Sequence, residues 1–103
     1  STCATVRGVI EALEPTSGPA VDGDYSFDIS LDPGYANLLS LGSGVFLSGF
    51  MHVEVVPSDQ PAVLGNATLA PGLHVRVTGA WVLDTDHGWW SEIHPAWSVV
   101  VLP

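Results

Sequence analysis

A chain of 103 residues, 47% hydrophobic and only 13% charged, is too apolar for a disordered tail and is expected to fold over residues 1–103 as a single domain around one core. Two basic residues, Arg7 and Arg76, against eleven acids give a formal net charge of -9. That balance argues against DNA or RNA as partner, because phosphate binding draws on Lys and Arg, and favours a cationic partner or a metal ion.

An acidic surface also serves solubility alone, and that plainer reading stands beside the partner reading. No apolar run approaches the roughly 18 residues of a membrane span; the longest stiff one is Val99 to Leu102. The lone Cys3 has no internal partner, so cysteine usage leaves the compartment open. The start at Ser1 without Met points to a trimmed chain, which favours the mature form of a secreted or cell-envelope protein over a cytoplasmic one.

Along the chain, Thr2 to Leu13 alternates, with Ala4, Val6, Ile10 and Ala12 on one face, Thr5, Arg7 and Glu11 on the other, and Gly8 marking a bulge or bend. The Glu14 to Pro19 segment ends this strand, and Asp22-Gly23 turns into the clearest alternation in the sequence. Tyr25, Phe27, Ile29 and Leu31 face inward; Asp24, Ser26, Asp28, Ser30 and Asp32 face outward. Tyr35 to Leu41, after Asp32-Pro33-Gly34, reads as one or two helical turns or a packed loop. Gly42-Ser43-Gly44 then leads into a third strand expected over Val45 to Val56, with His52 and Glu54 side by side on its polar face. Pro57 to Pro71 holds no period and is a long connection, with a helical turn around Ala62 to Leu64. Pro71-Gly72 opens the fourth strand from His74.

The last part reads as a hairpin: a strand Val75 to Leu83, a tip Asp84-Thr85-Asp86-His87-Gly88, and a return from Trp89 to about Val101. Five strands, a bent first strand and a long third connection fit a small all-β, five-stranded antiparallel Greek-key barrel of OB-fold outline, with at most one short helix, the main competitor being an open sandwich of two small sheets. Closure would remove the unpaired strand edges that threaten so apolar a chain.

The hairpin resembles a segment of small uncharacterised bacterial OB-fold-like proteins, of the form Asp-x-x-His-Gly-Trp-x-Glu-Ile-His-Pro. Asp84, His87, Gly88, Trp89, Glu92, Ile93, His94 and Pro95 match it, with one extra residue because Trp90 and Ser91 both stand before Glu92. Asp22-Gly23-Asp24 and His52 to Pro57 are similar to the same group. The resemblance implies the fold and a set of residues that act together; it implies no particular activity.

Candidate chemistry gathers on two strand pairs and the tip. His52 with Glu54, Glu92 with His94, and His87 are imidazole and carboxylate donors of the kind that zinc and similar divalent ions take, and i, i+2 spacing on a strand lets two side chains meet one ion. The ordinary alternative is a hydrogen-bond network that locks the hairpin. Trp89 and Trp90 must face opposite ways in a strand, so at most one fills the core. With Trp97 and Asp84 they are candidate ligand contacts, suited to a sugar, a peptide or another small molecule. No nucleophile elbow or phosphate loop is present. The functional expectation is a non-catalytic binding or assembly module with a His/Glu/Trp site on the last hairpin. The alternative is a divalent-metal-binding protein or metal-dependent hydrolase using His52, Glu54, His87, Glu92 and His94. For assembly, Phe46 and Phe50 are expected to supply an apolar contact from the third strand.

Overall fold

A computed structural model describes residues 2–13, 25–39, 41–46, 49–65, 68–85 and 89–103. Five strands carry the fold: β1 (Thr2–Leu13), β2 (Tyr25–Leu31), β3 (Met51–Val55), β4 (His74–Asp84) and β5 (Trp90–Val101). They close into a barrel in the order β1-β2-β3-β5-β4, with β4 returning to β1. Two short helices, α1 (Leu41–Phe46) and α2 (Gln60–Leu64), flank β3, where the sequence reading allowed one.

The alternation of β2 places Phe27 and Ile29 fully inside, beside Val6 and Ile10 of β1, Met51, Val53 and Val55 of β3, Val75 and Val77 of β4, and Ile93 of β5. Each such side chain contributes about 1.5–3 kcal/mol by leaving water, so this ring of residues is what holds the barrel shut. β1 is long because it serves two neighbours: Thr2 to Val9 pair with β4, and Gly8 to Leu13 pair with β2. Gly8 sits where the two pairings overlap. A Cβ there would press on the backbone of Ser30 and Leu31, which explains the glycine, while the register irregularity itself falls between Ile10 and Ala12.

Two expectations change here. The barrel is not wholly antiparallel: β3 and β5 run parallel, with His52 opposite Glu92 and Val53 opposite Ile93. A Greek-key chain that crosses over before its last hairpin needs one such seam to close. The third strand is also shorter than Val45 to Val56, because α1 takes residues 41–46 and β3 begins at Met51. Phe46 therefore ends a helix, and Phe50 precedes the strand and is half-buried. They form no strand face. α1 is fastened to β5 by two fully buried serines: Ser91 N–H donates to Ser43 Oγ (3.0 Å), and the two hydroxyls lie 3.1 Å apart.

Candidate functional site

With Met51, Val53 and Val55 committed to the core, His52 and Glu54 must project from the outer face of β3. Ser91 and Ile93 turn inward on β5, so Trp90, Glu92 and His94 share the outer face next to them. On the other side of β3, the antiparallel register sets Asp28 opposite His52 and Ser26 opposite Glu54. Three strands thus deliver seven polar or aromatic side chains to one patch.

The contacts within it are short. His52 Nδ1–H donates to Asp28 Oδ1 at 2.7 Å, and His52 Nε2 lies 3.4 Å from Glu54 Oε1. His94 Nδ1 is 2.6 Å from Glu54 Oε2 and 3.4 Å from Glu92 Oε1. The indole Nε1–H of Trp90 donates to Glu92 Oε2 at 2.7 Å, and its ring meets the His52 imidazole edge-on at 6.3 Å. Glu92 is only 4% exposed and Asp28 8%. Among the described residues, every buried side-chain nitrogen or oxygen has a hydrogen-bond partner.

These neighbours set the protonation states. Burial by itself pulls the His52 imidazole down, but hydrogen bonds to Asp28 and Glu54 and the charges of both carboxylates outweigh it and push the group up to about 10. His52 is therefore an imidazolium at neutral pH, donating from both nitrogens. Burial pushes the Glu92 carboxyl up, and the charges of Glu54 and Asp84 add to this, while the Trp90 N–H and His52 oppose it.

The sequence-derived candidates separate as follows. His52, Glu54, Glu92 and His94 come together, with Trp90 as one wall. Asp84 ends β4 opposite Trp90 and acts on Glu92 through its charge. Trp89 precedes β5, its N–H donating to the Asp84 carbonyl at 2.8 Å; at φ 62 it holds a left-handed conformation that bulky residues rarely adopt, and its side chain is 59% exposed. Neither Trp89 nor Trp90 enters the core. Trp97 is half exposed at the position that the β4–β5 register passes over, three residues beyond His94. His87, Asp86 and Gly88 of the tip, and Asp22-Gly23-Asp24, lie outside the described residues.

Sequence reasoning missed Asp28 and Ser26, which it assigned to solvent. Both are buried, since β3 brings His52 and Glu54 against them. The available signal was the chain order: a polar-faced strand followed by the His-x-Glu strand, with no other strand between them to intervene. No family model, curated protein or solved structure matches the chain.

Proposed function

We propose that this chain is a non-catalytic binding module whose ligand is positively charged and sits against His52, Glu54, Glu92 and His94. The observation that carries this reading is the convergence of three carboxylates, Asp28, Glu54 and Glu92, from three strands onto one largely buried patch. Taking charge out of water costs several kcal/mol per ion unless it is compensated, and the Glu92 carboxylate, disfavoured by burial and by the charges of Glu54 and Asp84, would be relieved by a further positive charge. The only fixed cations of the chain, Arg7 and Arg76, face each other across β1 and β4, and Arg76 is opposite Val100, at the far end of β5 from Glu92.

The position in the fold supports the same reading. Barrels of this strand order hold ligands on the outer face of the second and third strands, between the loops after strands one and four. Asp28, His52 and Glu54 stand on that face, and Trp89 and Trp90 flank the loop after β4. Trp89 offers an exposed aromatic face over which an organic cation could rest.

The test is a set of melting curves with zinc, manganese and calcium chlorides, spermidine, choline and a lysine-rich hexapeptide, and with single-stranded DNA at about 0.15 M salt, where the screening length is about 8 Å. The expected result is a rise in melting temperature with at least one cation, lost in Glu54→Gln, and none with DNA. If no cation stabilises the protein, or Glu54→Gln responds like the wild type, the reading is wrong.

A further inference from the structure

Of the charged, aromatic and buried polar groups among the described residues, the outer-face cluster is where donor atoms of metal-binding type converge, with the far sides of His52 and Glu92 already held. We propose that it is a mononuclear divalent-metal site suited to zinc, with His52 Nε2, Glu54, Glu92 and His94 Nδ1 as ligands. This rests on the reading of the patch as a cation site and names the cation.

Three observations carry it. The first is spacing. Ligand atoms at about 2.0–2.1 Å from a tetrahedral zinc stand about 3.3–3.4 Å from one another. Two facing pairs already have that separation, His52 Nε2 to Glu54 Oε1 and His94 Nδ1 to Glu92 Oε1, each 3.4 Å. One donor atom from each of His52, Glu54 and Glu92 falls within 4.8 Å of the others. The remaining 2.6 Å contact between His94 and Glu54 is a hydrogen bond that opens as the ion enters.

The second is orientation. A metal-bound imidazole is characteristically held at its other nitrogen by a carboxylate. Asp28 does this to His52 at Nδ1 and leaves Nε2 directed at the cluster, where the ion takes the place of the Nε2 proton, which is released to solvent. Trp90 does the equivalent for Glu92, binding Oε2 while Oε1 faces His94. The third is donor type. Two imidazoles with two carboxylates suit zinc and its transition-metal neighbours, whereas calcium and magnesium take oxygen almost alone. Asp28 and Trp90 are thus positioning residues that touch the ligands rather than the ion.

The experiment is calorimetric titration of chelator-treated protein with zinc chloride, beside melting curves with zinc and, separately, with spermidine. One zinc per chain is expected, with a higher melting temperature. Affinity should fall at least about 100-fold in His52→Ala and Glu92→Gln, and about 10–100-fold in Asp28→Asn and Trp90→Phe. Glu92→Gln keeps shape and volume, so it carries the comparison if His52→Ala does not fold. Absence of zinc binding, or binding equally strong in Glu92→Gln and Asp28→Asn, overturns the metal site. The other cations separate the two levels: if zinc is silent while spermidine or another cation of the set above stabilises the wild type, the cation module stands and the metal falls, and if all of them are silent, both fall.

Discussion

The imidazolium of His52, held between Asp28 and Glu54, makes the stability of the fold depend on alkaline pH. Its folded-state value is about 10 against an ordinary 6.5. A group raised on folding contributes stability that is complete below the unfolded value and is lost as pH rises through the folded one. A gap of this size corresponds to a ceiling of roughly 5 kcal/mol, and an interior dielectric above the dry-protein limit trims it to roughly 2–4 kcal/mol. The loss should therefore run between about pH 6.5 and pH 10, where a typical domain has only about 5–15 kcal/mol in total. The chain has no lysine, so the usual source of alkaline titration is missing. Glu92 acts with the same sign, its raised carboxyl withdrawing stability as pH rises from 4.5 upward. Subtracting a His52→Gln variant isolates the histidine. The assay is urea unfolding followed by tryptophan fluorescence, from about pH 6 to pH 11, on metal-free protein. A wild-type stability that is level across this range, or one that falls in parallel with His52→Gln, would refute the assigned pairing.

Two further outcomes are expected from the same unfolding assay. His94→Ala leaves Glu54 and Glu92 without the imidazole that lies 2.6 and 3.4 Å from them, and should cost about 1–3 kcal/mol; an unchanged urea midpoint would mean that the imidazole contributes nothing to the network. Gly79→Ala places a methyl 2.6 Å from Ile93 Cγ2 and 2.8 Å from Ala96 Cα at the β4–β5 register shift, and should cost about 1–3 kcal/mol through overpacking. Wild-type stability in that variant would show that the seam relaxes freely.

The parts of the fold that were legible in the sequence are those in which burial is decided by near neighbours. Tyr25 to Leu31 alternates because one face of β2 meets the core, and no helical period accommodates the same residues. Val45 and Phe46 were misassigned to a strand for the converse reason. A short apolar run flanked by glycines is compatible with either state, and Ser43, whose partner is 48 residues away, is part of what holds this one as α1. The parallel seam was invisible because no local pattern says which strand a given strand will lie beside. It follows only from closing a five-stranded sheet whose chain crosses over between β3 and β4.

The same division runs through the site. His52 with Glu54 and Glu92 with His94 could be read as two pairs, since i, i+2 spacing puts each on one face of its strand whatever the rest of the chain does. That the pairs meet depends on the seam, and one residue of slip would have turned Glu92 inward and Ser91 out. Ser91 fixes the register: it is fully buried and bonded to Ser43, so the residue that interrupts the sequence motif is also what directs its neighbours outward. Asp28 could not be ranked above Ser30 or Asp32 by pattern, because all three fall on the polar side of one alternating run of the sequence. Only its place opposite His52 distinguishes it, and with it the site gains a carboxylate that orients an imidazole.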